Sequence, residues 1–470
     1  MSALPPRPPG APLVRLEHDA MGAVEVPAQA LYGAETQRAV QNFPLSGRRL
    51  PVAFIRALLM IKGAAAAANG GLEVLPAALA VAIEEACDEA LSQADEALMV
   101  QFPVDVFQTG SGTSTHMNAN EVVATLASRR AGHAVHPNDH VNAGQSSNDV
   151  IPSALRLAAA LALKKSLLPA LVHLRNTVLA KAPQVHDELK TGRTHLMDAL
   201  PVRFSQVLEA WAFQLRSAER HLRQVLPALQ SLPLGGTAVG TGVNAHPAMA
   251  AEACRLLTRR TGLVLQPSPR PMALMSAQDD IVAASGALKV LAVTLMKIAN
   301  DLRWMNSGPI AGLGEIELEP LQPGSSIMPG KVNPVVPEAV AMVAAQVMGH
   351  DTTLTIAGQS GSFELNTMLP LMTATLQDSI GLLSHAMPLL ADKAIAGFRV
   401  NGEHLRRMLA HQPMLATALN PLVGYARATA IARQAWAEGR TVLDVAASTT
   451  DLPESLLREL LDPVHLAGDA

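Results

Sequence analysis

Aromatic residues and cysteines are scarce in this chain of 470 residues, and charged residues are few. Aromatic residues make up 3% of the sequence, so its hydrophobic content of 49% is mainly aliphatic. Such a composition excludes a disordered chain and favours helices over an aromatic-rich β-sandwich. Charged residues account for 16%, and the formal net charge of −4 gives no reason to expect a nucleic-acid or membrane partner.

The two cysteines, Cys87 and Cys254, lie far apart and lack the spacing of metal ligands. We expect two buried free thiols, as in a protein of a reducing compartment. The Pro-rich segment 1–12 has no basic stretch followed by an apolar one, so it does not resemble a secretory signal. The longest stretch without Lys, Arg, Asp or Glu, 224–251, is too rich in glycine for a membrane helix. These features predict a soluble, cytoplasmic protein.

Four long segments are apolar on more than one helical face, namely 152–180, 204–232, 281–304 and 335–348. Helices of this kind must be buried between other helices, which predicts a bundle. One chain can hardly cover so much apolar surface, so we expect the bundles to associate into a homo-oligomer. The segment from about residue 399 has shorter helical pieces and more charge, and is expected to form a small separate unit.

The segment GSSIMPGKVNP, residues 324–334, carries the strongest chemical signal. Two glycines and two prolines predict a loop, and the next helix is expected to begin near Pro334. Two hydroxyls, a lysine and an amide beside the N–H groups of a helix start are typical of an anion site. The alternative interpretation is a surface connector that ends in a helix cap.

This loop resembles the signature of the aspartase/fumarase superfamily, whose members add or eliminate across a fumarate-type double bond. Further segments resemble the class II fumarate hydratase branch: 15–22, 33–38, 109–113, 145–149, 192–196, 235–242 and 362–366. Aspartases are similar but usually have Ala where Ser111 stands and Thr where Ser147 stands, whereas the stretch 335–338 is as much aspartase-like as fumarase-like. The resemblance implies an all-α fold of three domains with a long central helical bundle that tetramerises. The domains are expected at 1–143, 144–398 and 399–470.

Removing water from malate breaks a C–H bond next to a carboxylate, and adding water to fumarate forms one. The enzyme must stabilise an enediolate-like dianion with preorganised donors and a cation. It also needs a base for the carbon and an acid for the departing hydroxide. The sequence contains no cluster with metal-ligand spacing, and we expect neither a metal nor a cofactor.

The resemblance implies four catalytic residues. Ser325 would be the carbon base, provided that neighbouring donors and positive charge displace its proton. Lys331 would assist and, with Asn333, would bind a substrate carboxylate. His195 would handle the leaving group, a task that suits a histidine at working pH, and Glu338 would orient it.

Short polar side chains are expected to bind the substrate carboxylates: Ser111, Thr113, Ser146, Ser147, Asn148 and Thr194. Their alternative role is to cap the following helix, and both roles are compatible because a helix N-terminus also favours an anion. His116 stands where the family pattern has asparagine. A histidine can still donate to a carboxylate, but it is larger than asparagine and can titrate. The replacement therefore predicts a different substrate or a shifted pH optimum; the alternative is that it has no effect on function.

His136, Asn138 and Asp139 resemble a peripheral carboxylate site of fumarases, although the same segment is an ordinary turn sequence. Taken together, the motifs predict reversible hydration of fumarate to L-malate by a homotetramer with active sites shared between subunits. An aspartate ammonia-lyase is the first alternative, against which Ser111 and Ser147 stand; a lyase acting on a substituted succinate is another. A non-catalytic helical scaffold would show erosion at the chemical positions, which are intact.

Overall fold

The computed structural model describes residues 13–468, and most of its regular structure is helical. The helices are α1 (Ala34–Asn42), α2 (Val52–Gly71), α3 (Ala77–Ser92), α4 (Asp95–Val100), α5 (Thr113–Ala131), α6 (Ser147–Ala162), α7 (Leu168–Lys181), α8 (Phe204–Leu229), α9 (Met249–Thr261), α10 (Pro271–Ser276), α11 (Asp279–Met305), α12 (Val335–Gly358), α13 (Leu369–Leu390), α14 (Gly402–Ala410), α15 (Asn420–Val423), α16 (Tyr425–Glu438), α17 (Val442–Thr449), α18 (Glu454–Leu460) and α19 (Pro463–Ala467). The N-terminal segment 1–12, on which the expectation about a secretory signal rests, lies outside the described residues.

Short irregular helices extend several of these elements. They are π-helical at Pro137–Val141, Leu163–Leu167 and Ala391–Ile395, and 3-10 helical at Ala182–Val185 and Pro413–Leu419. The π-helical turn Leu163–Leu167 joins α6 directly to α7. The four long helices predicted from the apolar segments are therefore confirmed as α6–α7, α8, α11 and α12. The helix expected near Pro334 begins one residue later.

The strands are short and pair two by two. They are β1 (Val14–Asp19), β2 (Gly22–Pro27), β3 (Leu189–Thr194), β4 (Met197–Arg203), β5 (Ser231–Leu232), β6 (Gln266–Pro267), β7 (Ile316–Glu317), β8 (Gly361–Ser362), β9 (Leu365–Asn366) and β10 (Arg399–Val400). The antiparallel pairs are β1–β2, β3–β4, β7–β10 and β8–β9, and β5 pairs with β6 in parallel. No sheet in the range 13–468 has more than two strands, so the expected all-α fold is confirmed.

The chain divides into two compact units. The first comprises the chain up to Leu168 together with His221–Lys289 and Gln346–Leu382. In this unit α2 packs against α3, α5, α6 and α9. Alanine and glycine on α2 allow close approach; for example, a Cβ on Gly70 would lie only 2.5 Å from the Cβ of Ala80 on α3. Burial of apolar side chains along these helices supplies the main stabilising free energy of the unit.

The second unit comprises Pro169–Arg220, Val290–Ala345 and Leu383–Ala470. Near the end of the chain its short helices bury an apolar cluster that includes Leu419, Ile431 and Val445. The short helical pieces expected after residue 399 are thus present as α14–α19. The three-domain division at 1–143, 144–398 and 399–470 stays a prediction.

Within residues 13–468, three helical stretches are long and apolar enough to cross a membrane by length and composition alone: Val52–Gly71, Ser147–Val185 and Asp279–Met305. The protein itself buries 72% of the most apolar window of the first stretch and 56% in each of the other two. Much of their apolar surface is therefore used in helix packing, as the sequence predicted. Cys87 and Cys254 are buried free thiols, which confirms that expectation, and burial raises the pKa of each to about 12.

Candidate active site

In the first unit, three hydroxyls form a row at the N-terminal ends of α5 and α6. The Oγ of Ser111 lies 2.7 Å from the Oγ1 of Thr113, which lies 2.8 Å from the Oγ of Ser147. Gly112 precedes α5 with a φ of +75°, and a Cβ at this position would lie 2.9 Å from the side chain of Ile151. Glycine therefore lets α5 begin close to α6. We call these three side chains the hydroxyl row.

Ser146 caps α6, because its Oγ accepts the backbone N–H of Asn148 at 3.2 Å. The Nδ2 of Asn148 in turn donates to the carbonyl of Ala238 at 2.8 Å. Asp149 is fully buried and accepts backbone N–H groups from Ser146, Gly235 and Thr237 at 2.9–3.0 Å. The capping role that the sequence left open is thus present at Ser146, while Ser147 belongs to the hydroxyl row. The amino ends of two helices next to these donors favour an anion.

Substitution of Asp149 by asparagine is expected to lower the free energy of unfolding by about 1–3 kcal/mol at acidic pH, because the NH2 group of an amide cannot accept an N–H group, whereas both oxygens of the protonated carboxyl can. Burial raises the pKa of this carboxyl from 3.8 to about 6. Compared with an amide, which does not titrate, its contribution to stability is therefore largest below pH 3.8 and declines as the pH rises from 3.8 through 6. Denaturant unfolding across this range should show the difference between wild type and variant shrinking with pH; a difference that grows would contradict the prediction.

His116, a predicted carboxylate donor, is only 2% exposed. Its Nε2 lies 2.7 Å from the Nζ of Lys62, which is itself fully buried on α2. Burial, and then the neighbouring Lys62, hold the pKa of His116 well below its ordinary value. Burial also lowers the pKa of Lys62 to about 7. The side chain that His116 contacts is thus a lysine outside the recognised motifs.

His136, Asn138 and Asp139 lie together in one exposed turn. The Nδ1 of His136 accepts the backbone N–H groups of Asn138 and Asp139 at 3.3 and 3.2 Å. The Glu35 carboxyl is hydrogen-bonded to Asn138, and its pKa is raised by burial and by the nearby Glu121. This geometry is that of a capping turn with carboxyl groups close by. A peripheral carboxylate site at this turn stays a prediction.

The loop 324–334 belongs to the second unit and is closed by its own hydrogen bonds. The N–H of Gly324 donates to the carbonyl of Lys331 at 2.9 Å, and the Nδ2 of Asn333 donates to the carbonyl of Gly324 at 2.8 Å. A Cβ on Gly324 would lie 2.5 Å from that Lys331 oxygen, so only glycine fits. We call this segment the signature loop.

Inside the signature loop, Ser325 Oγ accepts the N–H groups of Ile327 at 3.2 Å and Met328 at 3.0 Å. Two amide donors directed at one oxygen favour its negatively charged form. Ser325 is half-buried, whereas the apolar side chains of Ile327 and Met328 are exposed. The loop therefore presents a serine oxygen that accepts two backbone N–H groups, and a role for Ser325 as a base stays a prediction.

Lys331, Asn333 and Glu338 line a cleft of about 1390 Å³ in the second unit. Lys331 is exposed, and the other two side chains are half-buried. The same cleft is lined by Arg303 and His404. A cation, an amide and a carboxylate thus face one cavity that is large enough for a small dicarboxylate.

His195 lies at the tip of the β3–β4 hairpin. Thr194 pairs with Met197, and the two residues of the turn, His195 and Leu196, have φ values of +57° and +59°. Both residues are in the left-handed region, as in a type I′ turn. This backbone conformation is strained for His and Leu, and strained residues of this kind are frequent at functional sites. Thr194 and His195 are exposed. In the described part of the second unit, no hydrogen bond or ion pair joins His195 to Glu338.

The base of this hairpin is held by a buried carboxylate that the sequence analysis missed. Glu315 is 1% exposed and lies 2.7 Å from the NH1 of Arg193 and 3.2 Å from the Nζ of Lys190. Burial lowers the pKa of Lys190, and Glu315 opposes that effect. The sequence held one signal for this contact. Arg193, two residues before His195, carries a charge that needs either a carboxylate partner or contact with solvent.

Comparisons with known protein families agree with this fold. Residues 22–349 match a model described as lyase, and residues 415–468 match one described as fumarase C C-terminus. The chain is therefore a lyase of the aspartase/fumarase superfamily, as the motifs predicted. It is 62% identical over 454 residues to fumarate hydratase class II 2 of Pseudomonas aeruginosa, covering 97% of this chain and 98% of that protein. The chain belongs to the class II fumarate hydratase family.

Further relatives support the same assignment. Fumarate hydratase class II of Mycobacterium tuberculosis is 49% identical, over 91% of this chain and 90% of that protein. A crystal structure of class II fumarase from Schistosoma mansoni superposes with a TM-score of 0.94 at 35% identity, covering 97% of this chain and 99% of that one. The native fumarate lyase:delta crystallin of Brucella melitensis gives a TM-score of 0.88 at 44% identity, with coverages of 96% and 100%.

Proposed function

We propose that this protein catalyses the reversible hydration of fumarate to L-malate. The observation that carries the proposal is the pair of backbone amides directed at the Oγ of Ser325 in the signature loop. A serine whose oxygen is already supported as an anion can remove a proton from the carbon next to a carboxylate. The family membership supports the same reaction.

In the dehydration direction, Ser325 takes the proton from C3 of malate and leaves an enediolate-like dianion. Lys331 and Asn333 bind the carboxylate that carries this charge, and they bind it more strongly as the charge develops. His195, oriented by Glu338, then delivers a proton to the departing hydroxide, directly or through a water molecule. In the hydration direction the same groups act in reverse order.

The hydroxyl row and its neighbours bind the carboxylates of the substrate. This group comprises Ser111, Thr113, Ser146, Ser147 and Asn148; Thr194, on the β3–β4 hairpin of the second unit, is assigned the same role. The 2.7 and 2.8 Å spacings between the hydroxyls, together with two helix N-termini, support carboxylate binding. His116 is buried on α5, about one helical turn away from Thr113.

We further propose a cytoplasmic homotetramer in which each active site is shared between subunits. Apolar side chains on the long helices of the second unit support association, because Phe213, Val293 and Met342 are exposed in a single chain. The exposed position of His195, with no bond to Glu338, supports completion of the site by another chain. Analytical ultracentrifugation is expected to show a particle of four 49.3 kDa chains; a stable monomer would contradict this assembly.

Proton NMR of the purified protein with fumarate, once without and once with ammonium, tests the function directly. Malate is expected in both samples, in amounts that ammonium does not change. Aspartate formed only with ammonium would show an aspartate ammonia-lyase instead. No reaction in either sample would exclude fumarate as the substrate and point to a substituted succinate or its unsaturated counterpart.

A further inference from the structure

A buried lysine links the two elements that carry the hydroxyl row. Lys62 lies on α2, in the interior of the first unit, with no exposed surface. Its Nζ lies 2.7 Å from the Nε2 of His116 on α5 and donates to the Oδ1 of Asn142 at 3.2 Å, in the loop before α6. A single ammonium group thus contacts both segments.

Each contact leads to a member of the hydroxyl row by a short path. His116 follows Thr113 by three residues on α5, which is about 4.5 Å along the helix axis. The Nδ2 of Asn142 donates to the carbonyl of Gln145 at 3.3 Å, directly before the capping residue of α6. Through these two contacts, Lys62 connects the chain segments that bring Thr113 and Ser147 to 2.8 Å from each other.

A second side chain of α2 holds the same loop. The Nδ2 of Asn69, two turns further along α2 and 1% exposed, donates to the carbonyl of Ala143 at 2.9 Å. Polar side chains are rare in the otherwise apolar α2, and burying them costs free energy unless they are bonded. Both of these bond to the neighbourhood of residues 142–146 rather than to solvent.

We propose that Lys62 is a positioning residue for dicarboxylate binding, which holds the first turns of α5 and α6 together and places a buried positive charge behind the hydroxyl row. His116 is, in this arrangement, the neutral acceptor of the lysine ammonium. The inference rests on the proposed function, since it is there that the hydroxyl row is assigned to substrate carboxylates. It adds a residue outside the motifs that carry the family resemblance.

The charges around Lys62 decide how binding depends on pH. The groups that face it are His116 on α5, Asn142 in the loop, Asp149 on α6 and Cys87 on α3. His116 and Cys87 stay neutral near pH 7, because burial lowers the pKa of the first and raises that of the second to about 12. Burial moves the pKa of Lys62 to about 7 and that of Asp149 to about 6, so both change charge near neutrality. A bound dianion favours the protonated lysine, so binding weakens as the pH rises through about 7.

The test measures binding of succinate, a four-carbon dicarboxylate that cannot be hydrated, by calorimetry between about pH 6 and 8.5. Wild type is expected to lose affinity with rising pH. Lys62→Met is expected to bind succinate about tenfold more weakly at the acidic end and to lose the fall in affinity around pH 7, so that only the dependence caused by Asp149 near pH 6 is left. With fumarate as substrate the same variant should raise KM and change kcat by less than about threefold, as for lost uniform binding.

Two controls separate positioning from general damage. Lys181→Met removes another largely buried lysine, whose ammonium donates to the carbonyls of Ala396 and Phe398, and should leave succinate affinity unchanged. His116→Asn keeps an acceptor for Lys62 and should bind succinate more tightly than His116→Leu, which removes the acceptor and should weaken binding about as much as Lys62→Met. The histidine pair tests the link even if Lys62→Met does not fold.

Unchanged succinate affinity and pH dependence in Lys62→Met, or equal behaviour of His116→Asn and His116→Leu, would overturn the inference. A wild type that binds no succinate would overturn it as well. A wild type that binds succinate with the expected dependence on Lys62, but does not hydrate fumarate, would support the inference and refute the proposed function.

Discussion

Alanine in place of Ser325 is expected to lower kcat for fumarate hydration by about 1,000-fold or more, with little change in succinate affinity or thermal stability. The substitution removes the oxygen that accepts the N–H groups of Ile327 and Met328, and with it the proposed carbon base. It leaves the bonds that close the signature loop, Gly324 to Lys331 and Asn333 to Gly324, which do not involve this side chain. The measurement is the initial rate of fumarate hydration at saturating substrate.

The neighbouring serine provides a matched control for this experiment. Ser326 is exposed and stands next to Ser325 in the same loop, so Ser326→Ala makes the same chemical change one residue away. We expect that variant to keep the wild-type rate within about threefold. Retention of more than about a tenth of the wild-type rate by Ser325→Ala, a barrier change below about 1.4 kcal/mol, would rule out this serine as the base.

The long helices and the general class of fold were predictable because they depend on extended patterns. Segments that are apolar on several faces can only be buried helices, and α8 and α11 begin and end within three residues of the predicted bounds. The order of Ser-, Asn- and His-containing loops likewise identified the superfamily. These are properties of many residues at once, so individual exceptions such as the prolines inside α6 and α8 do not obscure them.

Side-chain partners were much harder to predict, because they join residues far apart in the sequence. His116 was recognised as a departure from the family pattern, but its contact with Lys62 spans 54 positions and carries no local signal. Similarly, Arg193 lies in a recognised motif, whereas its partner Glu315 lies 122 positions away. A lone lysine in an alanine-rich helix and an arginine beside a tight turn indicate that a partner exists, but not which residue it is.

Asparagine in place of His195 is expected to lower kcat for net dehydration of malate by about 100- to 1,000-fold, the usual value of a general acid. Asparagine is chosen because the backbone here has a φ of +57°, which asparagine adopts more readily than most residues. The hairpin should therefore fold, and the buried contacts of Glu315 with Arg193 and Lys190 at its base are untouched. Circular dichroism and thermal unfolding are expected to match those of the wild type.

Exchange of the C3 proton of malate in deuterated water separates the roles of the two catalytic residues. Removal of this proton requires Ser325, whereas loss of hydroxide requires the proton that His195 supplies. His195→Asn is therefore expected to exchange the C3 proton faster than it forms fumarate, because the proton on Ser325 exchanges with deuterated water and the dianion then returns to malate by taking a deuteron from Ser325. Ser325→Ala should lose exchange and dehydration together. Equal loss of both activities in His195→Asn would mean that His195 acts before or during C–H cleavage, and the assignment of base and acid to separate residues would be wrong.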